Sequence, residues 1–252
     1  MPAEIATDRK LFDLTGKDCL HFLQGLTTND MRPLDGADGI VWAALLSPQG
    51  KYLADFFVVR SGGRLFLDIA AGLAEATVRR LSMYKLRADV QISESALSVV
   101  RGLEPPPAGA LPDPRHPALG WRGYGLPGGA PVIDWDAIRV THLIPESGIE
   151  LIPDDSYILE HGFERLHGVD FRKGCYVGQE VTARMKHKTE LRKGLARVRI
   201  AGEAPVGAEI TADGKPAGTL FTRAGGFALA HLRFDRAEGE MRAGDATLHL
   251  AE

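Results

Sequence analysis

Apolar positions along this chain recur at spacings that change from segment to segment, and those changes predict its elements. Residues 40–46, 52–60 and 65–70 are short, largely apolar runs separated by Ser47-Pro48-Gln49-Gly50 and Ser61-Gly62-Gly63. Runs of this length between turn residues read as strands, here an antiparallel meander. Two other segments have helical spacing. Thr15, with Asp18 three residues on, predicts a capped helix with Leu20 and Leu23 on its apolar face, Cys19 and Phe22 beside them, and an end near Gly25. Ala74, Val78, Leu81 and Lys85 fall on neighbouring turns and predict a second helix over 74–86, after which 90–100 returns to strand character.

Residues 104–117 are dense in proline, and glycine follows through Gly129, so a linker or surface excursion is expected there. Short helices are expected over 136–143 and 158–166. After Gly194 the texture changes. Residues 195–200, 209–211, 217–222, 227–232 and 246–250 are short alternating segments between turn residues, the pattern of a small β-barrel or sandwich. Helices mixed with hairpins and followed by an all-β end predict an α+β chain in three parts, 1–103, 104–190 and 191–252.

Composition narrows the function classes. A chain of 252 residues, 44% hydrophobic, can bury a proper core. A formal net charge of −3 leaves no footprint for a nucleic-acid binder, whose affinity rests on many phosphate contacts. No run of about eighteen apolar residues is present, and Met1-Pro2-Ala3-Glu4-Ile5 lacks the order of a secretory leader. Cys19 and Cys175 stand far apart, with no CxxC and no His/Cys cluster at ligand spacing, so no metal site is expected. The expectation is a reduced, cytoplasmic protein with neither a membrane nor a direct nucleic-acid partner.

Candidate chemistry concentrates in Lys173-Gly174-Cys175-Tyr176-Val177-Gly178-Gln179-Glu180. The glycines permit unusual backbone angles and close approach to a ligand, and Arg172 and Lys173 favour the thiolate of Cys175. The alternative reading is a glycine-bounded turn whose cysteine fills a small hole. Val181, Met185 and Lys188 predict a short helix opening near Gly178, with an amino end that suits an anion. Arg184, Lys186, Arg192 and Lys193 make this the most basic part of the chain. Glu180 fits a general base or an ion pair with Arg184, and Gln179 fits ligand recognition or a tie to the loop backbone. His161, His167 and His187 lie near in sequence without a visible nucleophile–base–orienter spacing. Asp55 is a second candidate, because a carboxylate in an apolar strand is costly unless solvated or hydrogen-bonded. Asn29 and Asp30 fit either a cavity lining or a helix-ending Asx turn.

Residues 173–180 resemble the signature of the YgfZ/GcvT-like folate-binding family, whose members assist iron-sulfur protein maturation and are related to the aminomethyltransferase of the glycine cleavage system. Phe22-Leu23-Gln24-Gly25-Leu26-Thr27-Thr28-Asn29-Asp30 is similar to the family's amino-terminal segment. Gln49-Gly50-Lys51 with Asp55-Phe56 is similar to its first hairpin, and Tyr84-Lys85-Leu86-Arg87 to a further element. The resemblance implies GcvT-like mixed antiparallel sheets with helices around a central cavity, followed by a small C-terminal β-barrel. It implies tetrahydrofolate or a derivative as cofactor, with Asp55 against the pterin. Asn29, Tyr84, Arg87, Lys173, Tyr176, Gln179 and Glu180 are the further folate-binding candidates, Phe56 is an additional ring, and Cys175 is the catalytic candidate at the cavity mouth. The implied partners are folate and client iron-sulfur proteins or assembly factors, and the family is also associated with tRNA modification.

The enzyme relatives carry a mid-chain Arg-x-Gly-Tyr-Thr-Gly-Glu element. Here only Trp121-Arg122-Gly123-Tyr124-Gly125-Leu126 is comparable, and the missing Thr-Gly-Glu continuation argues against aminomethyl transfer. The expected function is a tetrahydrofolate-binding accessory protein that supports iron-sulfur cluster assembly or repair through Cys175. A folate-dependent one-carbon transferase or demethylase, and a folate-free thiol redox sensor, are the alternatives. One thiolate cannot hold a cluster that takes four protein ligands, so any cluster would be shared.

Overall fold

The computed structural model describes residues 3–103, 105–187 and 191–251; Glu104 and Lys188, which the sequence places in the linker and the last helix, lie outside them. The expected meander is present and extends into a five-stranded antiparallel sheet. Its order is β3 (Gly39–Leu46), β4 (Tyr52–Ser61), β5 (Arg64–Ala70), β2 (Arg9–Thr15) and β6 (Gln91–Glu94). Strand β2 corrects the first expectation. Thr15 ends that strand opposite Gln91, and α1 (Cys19–Gln24) begins only after Gly16 and Asp18. Asp18 does not cap α1 with its side chain; its carboxylate accepts from the Asp89 N–H at 2.8 Å.

The single strand expected over 90–100 is two strands in two sheets, because polar residues interrupt it. The second sheet runs β1 (Glu4–Ile5), β7 (Val99–Gly102), β9 (Trp121–Tyr124), β8 (Leu111–Pro112). Part of the proline- and glycine-rich stretch is therefore ordered. Trp121–Tyr124 is an interior strand, and Pro112 sits on the edge strand, where a missing N–H is tolerated. This sheet takes strands from both sides of the 103/104 boundary.

The two faces of the central sheet have different neighbours. Leu14, Val41, Phe56, Val58, Leu67 and Ile69 pack with Cys19 and Leu23 of α1 and with Ala74 and Leu81 of α2 (Ala71–Tyr84). On the other face Leu11, Trp42, Phe57, Val59 and Phe66 pack with Ile158, Phe163, Leu166 and Tyr176. The helix expected over 158–166 is only a short 3-10 turn, Ile158–His161, ended by Gly162 in the left-handed region. α3 (Trp135–His142) forms as its pattern predicts, with Asp134 capping the Ala137 N–H at 2.9 Å.

The C-terminal part is a closed barrel in the order β10 (Lys193–Ala201), β13 (Phe227–Arg233), β12 (Lys215–Ala224), β11 (Glu209–Ala212), β14 (Met241–Ala243), β15 (Ala246–Leu250). Closure leaves no unpaired edge. The barrel docks on α3 through Val140, Phe221 and Leu229. Beside that contact the buried Glu150 accepts from Arg139 Nη1 at 2.9 Å and from the Thr222 hydroxyl at 2.5 Å. Among the described residues no helix is long and apolar enough to cross a membrane.

Candidate functional site

The fold brings together three segments that are distant in sequence: 22–30, the 47–51 turn between β3 and β4, and 173–180. α4 (Gln179–Lys186) opens at Gly178, as the spacing of Val181 and Met185 predicts. Gly178 has φ +84°, and a Cβ there would lie 2.5 Å from the Ser47 carbonyl oxygen and 2.9 Å from Leu46 Cβ. Only glycine lets the loop close on the hairpin turn. At the other end, Lys173 turns inward. Its Nζ donates to the carbonyls of Gln24 and Thr27, each at 2.5 Å, and the Gln24 side-chain amide donates back to the Lys173 carbonyl at 3.2 Å. Tyr176 is buried, and its backbone N–H donates to Gln179 Oε1 at 3.1 Å. Between these anchors, with Gly174 at φ +100°, Cys175 is exposed to solvent.

Several expectations about this loop change. The Lys173 ammonium is bonded to carbonyls and does not serve Cys175; burial lowers its pKa to about 8. Gln179 takes the role of loop tie. Glu180 is exposed and makes no ion pair among the described residues, so the expected bond to Arg184 is absent. Of Asn29 and Asp30, it is Asp30 that makes the Asx turn, accepting from the Arg32 N–H at 3.1 Å, while Asn29 ties the segment to its neighbours. Its Oδ1 accepts from the Asp30 N–H at 3.0 Å, and its Nδ2 reaches the carbonyls of Trp42 at 2.8 Å and His167 at 2.6 Å. His161 is buried against His231 of the barrel, with ring centroids 5.1 Å apart, and burial lowers its pKa.

Asp55 lies deeper, on the Phe57 face of the sheet. Its carboxylate accepts from Trp42 Nε1 at 2.8 Å, the Tyr52 hydroxyl at 2.6 Å and the Ser147 hydroxyl at 2.6 Å. That satisfies a buried charge and leaves little acceptor capacity for a ligand. Burial next to Asp55 drives the Tyr52 phenol far above its ordinary range. On β5, Asp68 accepts from Arg9 Nε at 2.7 Å, Arg122 Nη2 at 2.6 Å and the Tyr124 hydroxyl at 3.1 Å. Arg115 pairs with Asp113 at 2.8 Å. The guanidinium groups of Arg122, Arg115 and Arg9 stand 4.1, 4.9 and 5.4 Å from the Phe57 ring.

This network occupies much of the interior between the central and second sheets. What remains enclosed between Arg115, Arg122, Trp135, Arg139 and Glu146 is about 20 Å³, room for about one water. Larger volumes lie outside it. One depression of about 550 Å³ is lined by Asp8, Arg101, Trp135, Glu146 and Ser147, with Arg101 placed 4.8 Å from the Trp135 ring. Another of about 550 Å³ lies beside Asn29, Trp42, His167 and Arg172.

Phe56 points to the opposite face, into the helical layer; Phe57 is the ring beside Asp55. Tyr84 and Arg87 are exposed at the end of α2, which packs on that opposite face. Among the described residues no hydrogen bond or ring contact joins them to the rest of the site. Asp68, Arg9, Arg115 and Trp135 escaped the sequence reading. Asp68 carried the same signal as Asp55, a carboxylate within an apolar strand, and the mid-chain Arg122 and Tyr124 are its partners.

Comparison with known proteins accords with this architecture. Residues 192–252 match the family described as the CAF17 C-terminal beta-barrel domain. The chain is 32% identical over 230 residues to the iron-sulfur cluster assembly factor IBA57 homolog, mitochondrial, of Mycosarcoma maydis, covering 78% of this chain and 57% of that protein. It thus spans little more than half the length of the fungal relative. It is 30% identical over 278 residues to the Homo sapiens iron-sulfur cluster assembly factor IBA57, mitochondrial, covering 92% of this chain and 78% of the human protein. Its fold matches the glycine cleavage system aminomethyltransferase T of Bartonella henselae with a TM-score of 0.78 at 14% identity, over 99% of this chain and 84% of that one. At that identity the likeness is one of fold. The match to the human protein covers nearly the whole chain, and on it this chain belongs to the IBA57 family of iron-sulfur cluster assembly factors.

Proposed function

We propose that this chain supports iron-sulfur cluster assembly or repair by presenting the Cys175 sulfur as one open ligand to a cluster that a partner protein or small thiols complete. The observation that carries this reading is a solvent-exposed thiol on a loop fixed at both ends, by Lys173 to the segment after α1 and by Gly178 to the hairpin turn. Clusters take four protein ligands, and among the described residues no three His, Cys, Asp or Glu side chains are grouped to hold a metal ion. On this reading the remaining ligands come from outside the chain. Phe171, partly exposed beside the loop with the Lys186 ammonium 5.6 Å from its ring, gives the docking partner an apolar contact.

Tetrahydrofolate or a derivative is the second part of the proposal. The outer depression, whose volume of about 550 Å³ suits a small ligand, is the place we assign to a pterin. There Trp135 offers a ring face and Ser147 a hydroxyl already bonded to Asp55, while Arg101, 3.1 Å from both Glu4 and Asp8, can turn to the glutamyl carboxylates by exchanging the exposed Asp8. Bound folate would supply one-carbon or electron-transfer chemistry. Two unpaired thiols suit a reducing compartment, a description that covers both the cytoplasm expected from the sequence and the mitochondrion named for the relatives.

Anaerobic reconstitution with ferrous iron, sulfide and glutathione tests the thiol. Wild-type and Cys19→Ser proteins are expected to acquire the visible absorption and circular dichroism of a bound cluster, and Cys175→Ser to lack them. Equal spectra from Cys175→Ser would overturn the assignment. Titration of tetrahydrofolate into Trp135→Ala and Ser147→Ala proteins tests the second part; affinity unchanged in both would remove the depression as its site.

A further inference from the structure

We propose that the groove between α1, the turn that follows it and the ends of β2 and β5 is a second binding site, for a small amphipathic anion with an apolar body and one carboxylate or phosphate. Nothing in the cluster or folate reading uses this groove. Its floor is made by Leu14, Cys19, Met31 and Leu65, all buried residues of the layer shared with the helices, whereas Asp55 faces the other side of the sheet. The volume, about 760 Å³, lies within the range of small-molecule sites. Burial raises the Cys19 thiol above its ordinary pKa, so the floor stays uncharged and suits an aliphatic or aromatic body.

The rim selects the sign of the ligand's charge. Lys17, Arg32, Arg60 and Arg64 line the groove against Asp13 and Asp35, and Arg32 is paired with Asp30, just outside the groove, at 2.7 Å. Arg64 pairs with Asp13 at 2.6 Å. Arg60 uses Nε on the Leu34 carbonyl at 2.5 Å, with no ion pair among the described residues. Lys17 also makes no ion pair among them. An anion at the rim gains from the surplus positive charge while its body is removed from water. The inner wall includes Gln24, the residue whose amide holds the Lys173 carbonyl at 3.2 Å, so the groove shares a wall with the Cys175 loop.

The test is calorimetric titration at low salt with four probes that share a ten-carbon chain: decanoate, decyl phosphate, decanol and decyltrimethylammonium. One or both anions should bind one to one, and the comparison of decanoate with decyl phosphate identifies the head group. The neutral and cationic probes should bind at least tenfold more weakly, roughly the discrimination expected of one uncompensated rim charge at a partly desolvated site. The doubly charge-reversed Lys17→Glu/Arg32→Glu protein, altered only at exposed side chains, should lose about tenfold in affinity for the anion. In a Cys175→Ser background, saturating anion should slow alkylation of Cys19 by iodoacetamide. Absence of anion binding, equal binding of all four probes, unchanged affinity after charge reversal, or unprotected Cys19 would each overturn the proposal.

Discussion

Replacing Asp68 by asparagine keeps the shape of the side chain and removes the charge around which the interior is arranged. Asp68 is fully buried; burial alone would raise its pKa, but the guanidinium groups of Arg122 and Arg9 outweigh it and hold the carboxyl at about 2. Against an unfolded value of about 3.9, that difference amounts to about 2–3 kcal/mol at neutral pH. The sign follows from proton counting. On acidification the unfolded chain takes up the proton first, so this stabilisation is present above about pH 4 and is lost as the pH falls towards 2. The asparagine leaves Arg122 with Asp113 at 3.5 Å and Arg9 with the Asp68 carbonyl at 2.7 Å. The cost should therefore fall near the low end of the 3–5 kcal/mol for a broken buried pair, about 3 kcal/mol, or about 6–12 °C in Tm for a chain of this size. Urea denaturation of wild type, Asp68→Asn, Arg122→Met and the double variant measures it. The double variant should cost at least about 1 kcal/mol less than the sum of the singles, and the gap between wild type and Asp68→Asn should close between pH 5 and 2. An Asp68→Asn protein within about 0.5 kcal/mol of wild type at pH 7, or a gap independent of pH, would refute the reasoning.

Gly178→Ala must adopt a left-handed angle, costing about 1–2 kcal/mol, and must also push its Cβ away from the Ser47 carbonyl 2.5 Å distant; lower Tm and faster proteolysis within 173–180 are expected, and an unchanged digest would count against the anchored loop. For Lys173 the folded pKa of about 8 lies below the ordinary 10.5, so between those values the unfolded chain holds the extra proton and stability rises with pH. The urea midpoint of wild type relative to Lys173→Met should accordingly increase from pH 8 to 10, and a flat difference would show that the ammonium is not held in a desolvated site. Glu150→Gln breaks the buried pair with Arg139 and should destabilise by about 3 kcal/mol or more, with hydrogen exchange rising first in Lys215–Ala224 because that strand carries Thr222.

Legibility from sequence depended on what each element uses for stability. The meander, α3, α4 and most barrel strands were readable because apolar periodicity and local turn residues decide them. β2 was missed because Thr15 and Asp18 mimic a helix cap, and pairing with β5 and β6 overrode that local signal. Trp121–Tyr124 was hidden among prolines and glycines; its place comes from pairing with Val99–Gly102, which no local pattern reveals. Cys175 and its glycines were legible as a loop. The inward turn of Lys173 was not, because its partners are main-chain carbonyls some 150 positions earlier in the chain, at Gln24 and Thr27. Asp55 was flagged correctly as a carboxylate needing hydrogen bonds, but Ser147, which supplies one of them, comes from 92 positions away.

The interior and the exposed loop divide the work physically. Three buried guanidinium groups are paired with the carboxylates of Asp68 and Asp113, and the gap beside Asp113, Arg115 and Arg122 has room for about one water. Such a cluster is tolerable only when each charge keeps its partner, because the loss of one strands another without solvent. The central sheet and the second sheet are therefore locked in one arrangement, and Arg139, Glu150 and Thr222 extend that lock to the barrel. The segment after α1 and the hairpin turn, to which the Cys175 loop is fastened, belong to this frame. On the proposal that Cys175 lends one ligand to a shared cluster, this frame holds that thiol outward in a constant position, and a single ligand lets the cluster go once a partner supplies the rest.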